Sequence, residues 1–208
     1  GRGYTVFVRY MIPITPFLCL TAAVAVVEGA RVLIRRSRRA GHIVMAVLVI
    51  LVALPSIRRV IAFDRLIAQT DTRVVAANWL DMHVGPTDWV CEIPAAILHP
   101  VWGRPEGLHI GRFDGQRGLF VSDKDEAVTS SWVVIAKSPL AVYTTIPEGL
   151  MPIVESQYSR VATFRATVAG ERPDAFDQQD MFFVPYADFT ARERPGPDID
   201  IYRRRVEQ

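Results

Sequence analysis

The sequence predicts a membrane α-helical hairpin followed by a small α/β (or α+β) extracytoplasmic domain. Three observations carry this. Two uncharged runs of 18 residues, Tyr10 to Val27 and Ala40 to Ile57, stand in tandem and are edged by arginine. Charge is split along the chain: residues 1–69 hold ten Arg and no Lys against Glu28 and Asp64, a net of +8, whereas residues 70–208 hold 14 basic and 20 acidic residues, a net of −6. Beyond residue 70, one amphipathic helical pattern gives way to short apolar runs punctuated by Gly and Pro. The 208 residues therefore divide into a transmembrane hairpin over 1–69, with spans at about 10–34 and 40–57 and an interfacial helix after them, and a soluble α/β domain over 70–208. The chain opens with glycine and not methionine, which reads as a fragment or a processed piece.

At 1.5 Å per residue, each uncharged run makes about 27 Å of helix, close to the ~30 Å hydrocarbon thickness of a bilayer. Two in tandem argue against a buried core helix. A signal peptide fits poorly, because no small-residue cleavage site follows the first run and a second run comes after it. Pro13 and Pro16 fall near the start of the first span, where a missing N–H costs least; Pro55 falls near the end of the second, and Gly29 and Gly41 flank the connection. That connection, RVLIRRSRRAG, carries Arg31, Arg35, Arg36, Arg38 and Arg39. Short basic loops stay cytoplasmic, which puts Arg9 and everything after Ile57 on the other face. Arg58, Arg59 and Arg65 oppose this bias, but long domains translocate largely regardless of charge, so the short loop carries more weight. The expected location is the cell (inner) membrane, multi-pass, with residues 70–208 extracytoplasmic.

In the soluble part, RRVIAFDRLIAQ still reads as helix, extending the second span or lying along the interface. TDTRVVAANWLDMHVGP is a clearer amphipathic helix: Thr70 or Asp71 caps it, Val75, Ala76, Trp79, Leu80 and Met82 form its apolar face, and Gly85-Pro86 ends it. DWVCEIP, GLFVS (118–122) and SWVVIA (131–136) read as strands. YSRVATFRAT (158–167) alternates imperfectly and reads as strand or helix, and DIDIYRRR (198–205) reads as strand after its Pro-Gly-Pro. The stretches 94–117 and 169–197, rich in Gly, Pro, Asp and Arg, read as loops.

Several chemistries are set aside. Cys19 and Cys91 fall in different solvents, which argues against a disulfide, and no pair of Cys or His has metal-ligand spacing; no metal site is expected. His42, His83, His99 and His109 are scattered. GRFDGQRG is no phosphate loop, and DKDEAVTSS (123–131) lacks calcium-loop spacing and reads as a solvated loop. An acidic soluble part argues against nucleic acid. No catalytic residue is identifiable.

Arg9-Tyr10-Met11-Ile12-Pro13 with Pro16, an Arg-Tyr ahead of a proline-punctuated span, resembles the late R-Y-x-x-P-x-x-P segment of GT-C-type glycosyltransferases, the polytopic enzymes that include protein mannosyltransferases and aminoarabinose transferases. DTRVVAANWLDMHVGPTDWVCEIP (71–94) is similar to the helix-then-strand opening of their extracytoplasmic C-terminal domain, and SWVVIA and RPGPDIDIYRRR (194–205) to its later strands. The resemblance covers most of the chain in short motifs. It implies the C-terminal part of an integral membrane transferase that moves a sugar from a polyprenyl-phosphate carrier to an extracytoplasmic acceptor. The family's catalytic carboxylate lies in an early extracytoplasmic loop outside these residues. The resemblance therefore implies no cofactor in this segment, and a divalent cation in the full-length enzyme. The partners it implies are membrane lipid and the polyprenyl-phosphate-linked sugar.

On this topology Arg9 sits at the outer boundary of the membrane, where a guanidinium can pair bidentately with a lipid-linked phosphate. Tyr10 can meet a sugar ring or the headgroup belt. Arg58 and Arg59 are further lipid-phosphate candidates. Interfacial anchoring is the other role open to all four, since Arg and Tyr flank spans routinely. The alternative to a transferase is a non-enzymatic membrane-anchored extracytoplasmic binding or accessory module.

Overall fold

The computed structural model describes residues 13–34, 38–93, 100–138, 145–168, 184–185 and 189–205. The chain forms two compact units, Gly1–Arg65 and Leu66–Gln208.

The first unit is built from helix α1 (Thr15–Ile34) and most of helix α2 (Arg38–Ile67). Both are long and apolar enough to cross a membrane, and only 6% of the apolar window of each is buried. A helix that is apolar all round needs either protein or lipid around it. Thr21 spends its hydroxyl inside its own helix, donating to the carbonyls of Phe17 (3.1 Å) and Leu18 (2.9 Å). Pro55 does not end α2; the helix runs through it to Ile67. Arg58 to Ile67 is therefore continuous with α2 and not a separate helix. Proline removes one intrahelical bond, a loss that apolar membrane-type helices tolerate by local adjustment.

The second unit opens with α3 (Thr72–His83), capped by Asp71, whose carboxylate accepts from Arg73 N at 2.8 Å and pairs with the Arg73 guanidinium. Its buried residues are Thr72, Ala76, Ala77 and Leu80. Met82, expected on the apolar face, is 73% exposed: the buried stripe runs through Ala77 instead. Six strands follow in one mixed sheet: β1 (Trp89–Ile93), β2 (His109–Asp114), β3 (Leu119–Val121), β4 (Trp132–Lys137), β5 (Tyr158–Phe164) and β6 (Asp198–Arg204), with helix α4 (Leu150–Gln157) between β4 and β5. Their order is β3-β2-β1-β4-β6-β5; β1 runs parallel to both β2 and β4, and the other pairings are antiparallel.

β4 is buried from Trp132 through Ala136, and its alternation divides the core. Trp132, Val134 and Ala136 join Val90, Ile199 and Ile201 under the Ala76, Ala77 and Leu80 face of α3. Val133 and Ile135 point the other way, with Cys91, Ile93, Tyr158 and Tyr202, against Leu150 and Val154 of α4. Tyr158 donates its hydroxyl to Ser130 O at 2.8 Å, and burial pushes its phenol up to about 12. Burial, then the neighbouring Glu92 charge, pushes the Cys91 thiol up to about 12, which leaves it an inert core residue.

One local reading changes, and two segments that the sequence left open are settled. β2 lies inside the stretch read as loop; Gly111 and the flanking turn residues mask a strand that exists because β1 and β3 flank it. Helix α4 carries no start signal: its cap is Gly149 at φ +81°, with no side-chain capping bond, and Pro152 lies inside it. Of the 158–167 segment, Tyr158–Phe164 is a strand with a bulge between Arg160 and Ala162. Before the bulge Tyr158 faces α4, and after it Ala162 and Phe164 face the α3 core, which accounts for the broken alternation. Of the 169–197 stretch, the described part holds a 3₁₀ turn, Phe189–Ala191, and a bridge from Thr167 to Arg192.

The segment before β6 closes over the start of α3. Thr72 N donates to Pro195 O (3.1 Å), Thr72 Oγ1 donates to Pro197 O (2.6 Å), and buried Arg192 donates to Gly196 O. Gly196 sits at φ +98°, and a Cβ there would run into Thr72 Oγ1 and Asp71 Oδ1. Gly196→Ala is expected to destabilise the second unit by about 2 kcal/mol or more, from left-handed strain plus displacement of the cap. Thermal unfolding followed by tryptophan fluorescence checks this; an unchanged midpoint refutes the clamp.

Candidate functional site

Arg9 and Tyr10 lie outside the described residues. Arg58 and Arg59 are exposed on α2, between exposed Ile57 (51%) and Val60 (57%). Neighbours in a helix are about 100° apart, so the two guanidiniums do not present one joint surface. They stand 20 residues beyond Arg38 and Arg39 in one continuous helix, about 30 Å, the thickness of a bilayer's apolar layer. The described geometry thus separates these arginines by helix angle instead of gathering them into a pocket.

In the second unit the topology marks a different place. β1, β2 and β4 share a direction, so their carboxyl ends form one edge of the sheet. The chain leaves β1 for β2 on one side and returns by β3 to β4 on the other. The gap between the carboxyl ends of β1 and β4 is a switch point, the position at which open α/β sheets hold ligands. β6 is antiparallel to β4 and brings its first residues to the same edge.

Two buried acids occupy that edge on opposite faces of the sheet. Glu92, from β1, has a side chain only 4% exposed. Its Oε1 accepts from Trp102 Nε1 at 3.0 Å and its Oε2 from Arg104 at 2.9 Å. Asp200, from β6, has a side chain only 1% exposed. It accepts from Lys137 Nζ at 2.8 Å and Thr163 Oγ1 at 2.8 Å, with Arg165 3.7 Å away. Burial pushes the Asp200 carboxyl up, but the hydrogen bonds from Lys137 and Thr163 and the charges of Lys137 and Arg165 outweigh it, and the net shift is downward. Asp198 binds the next segment, accepting from Ala166 N (2.7 Å) and Thr167 N (3.1 Å).

The chemistry this allows is specific. Asp200 stays ionised at neutral pH and is saturated by donors, so it serves as a charged strut and not as a proton donor. Glu92 ties the Trp102–Arg104 segment to the end of β1. Among the described residues no group of three or more His, Cys, Asp and Glu side chains gathers to hold a metal ion. Cys19 and Cys91 are both free thiols.

Neither acid stood out in the sequence. The available signal was a charge at an inward position of an apolar strand: Glu in WVCEI, Asp in DIDI, Lys closing WVVIAK. Comparison with known families, curated proteins and solved structures returned no match.

Asp200→Asn is expected to cost about 2 kcal/mol, the range for hydrogen bonds to a charged group. It should also change the acid limb of stability. The folded carboxyl titrates below its unfolded value of about 3.9, so its contribution is full above that pH and is lost as pH falls through the folded value. Urea unfolding at neutral pH and near pH 3 checks both; identical pH slopes in wild type and variant refute the strut.

Proposed function

We propose that this chain is the C-terminal part of an integral membrane glycosyltransferase of the GT-C type, with α1 and α2 in the bilayer and residues 70–208 as its extracytoplasmic domain. The observation that carries the reading is the architecture: two unburied apolar helices, joined by an arginine-rich connection, followed in sequence by an α/β unit with its own core. The motif resemblance at Arg9 to Pro16, 71–94 and 194–205 supports the same assignment. The transfer of a sugar from a polyprenyl-phosphate carrier leaves a phosphate bearing developing charge at the membrane surface. A guanidinium at that depth stabilises it, and the N-terminal end of a helix adds favourable potential for an anion. In this reading Arg9 is the phosphate-binding group, Tyr10 borders the sugar, and Arg58 and Arg59 hold lipid headgroups. The reacting carboxylate, and any divalent cation, belong to other parts of the enzyme.

Sidedness is tested by single cysteines. Cys91 is buried and inert, and with exposed Cys19 replaced by serine an introduced thiol can be read against that background. Ser156→Cys, on the exposed end of α4, is expected to react with a membrane-impermeant maleimide in intact cells, and Ser37→Cys only after permeabilisation. The reverse pattern overturns the orientation. Activity is tested in the membrane enzyme that contains this chain. Arg9→Ala removes a charge-assisted bond worth about 1.5–3 kcal/mol and is expected to lower lipid-linked sugar transfer about 10- to 100-fold. Arg38→Ala, on the opposite boundary, should leave it near wild type; equal activity of the two variants refutes the phosphate role.

A further inference from the structure

A cleft of about 330 Å³ opens at the amino ends of β1 and β2, the end of the sheet opposite to the buried acids. One wall is aromatic. Trp89 and His109, cross-strand partners, stack with ring centroids 4.6 Å apart and planes 20° from parallel. Beside this pair a Cβ at Gly111 would crowd the carbonyl oxygen of Val121 at 3.3 Å and make ordinary contact with Trp89 Cε3 at 3.7 Å. Leu108 and Ile110 add aliphatic lining.

The rim is polar and held in shape. Ser122 Oγ accepts from the backbone N–H groups of Lys124 (3.2 Å) and Glu126 (3.3 Å), and Ser122 N donates to Glu126 O (2.9 Å). At the tip Asp125 adopts φ +62° and pairs with Arg112. The side chains left on the cleft side are Asp123, Lys124 and Glu126, which are exposed and make no ion pair among the described residues.

We infer that this cleft binds a carbohydrate unit. A pyranose has an apolar C–H face and a ring of hydroxyls; the stacked Trp89–His109 wall takes the first, and the Asp123, Glu126 and Lys124 side chains accept from and donate to the second. Both signs of charge line the rim, so the cleft makes no strong demand for an anion or a cation and matches a neutral, hydroxyl-rich ligand. Its volume lies at the small end of ligand sites, roughly 300–1,000 Å³, enough for about one or two sugar rings. The prearranged turn lowers the ordering cost of binding. The inference stands on the cleft and does not depend on the transferase reading, since binding is measured without turnover.

The test uses the full chain in lipid nanodiscs, because maltoside detergents carry sugar headgroups that would compete. Methyl α-mannopyranoside and a β-1,4-linked N-acetylglucosamine trisaccharide serve as probes in saturation-transfer NMR. Transfer to the ring C–H protons of at least one probe is expected. Binding should weaken at least tenfold in Trp89→Ala and in the exposed double variant Asp123→Asn/Glu126→Gln, and remain unchanged in Trp79→Phe. The double variant lies on a surface turn and leaves the core intact, so its effect does not depend on whether Trp89→Ala folds. No transfer to either probe at about 10 mM, or transfer undiminished in the double variant, overturns the assignment.

Discussion

β4 is the strand on which the second unit hangs. A strand buried on both faces requires a layer on each side, and Trp132–Ala136 has α3 over one and α4 over the other. It also needs partners on both edges, which β1 supplies in parallel and β6 in antiparallel sense. The interactions around Trp132 show how tightly this is drawn: its indole N–H donates to Asp88 at 2.9 Å, Arg203 lies 5.1 Å over its ring, and Trp79 meets it edge-on at 5.8 Å. Bringing β6 to β4 in turn brings the segment before β6 to the start of α3, so α3 and the last strand are held by one arrangement.

The first unit obeys a different constraint. Few of the apolar residues in its helices are buried in protein, and a helix that is apolar all round calls for an apolar surrounding. Along α2, basic residues stand at Arg38 and Arg39 and again at Arg58 and Arg59, with only apolar and weakly polar residues and His42 between.

What the sequence disclosed follows the range of the interaction concerned. The two apolar helices were legible because length and absence of charge are local properties. The strands β1, β4 and β6 were legible because they are apolar or β-branched, and α3 because Asp71 caps it and Gly85-Pro86 ends its pattern. β2 and α4 were not: one is a strand by virtue of its neighbours, and the other starts at a left-handed glycine with no capping side chain. Of the site residues, Arg58 and Arg59 were visible as charges after an apolar run. The pairs Glu92–Arg104 and Lys137–Asp200 span 12 and 63 positions, and nothing local announces a partner so far away until the register is known.

The irregularity at Val161 has a consequence for the company this protein keeps. β5 is an outermost strand, and an outermost strand with a free ladder is a template for a neighbouring chain. The extra residue shifts the register against β6 midway along the strand and leaves Arg160 and Val161 exposed, and a bulge of this kind bends the strand and sharpens its twist. Copies of one chain at high local concentration meet often, and an intact outer ladder would then be open to pairing. A sheet whose rim is broken in this way is a poorer template for extension by the copy beside it.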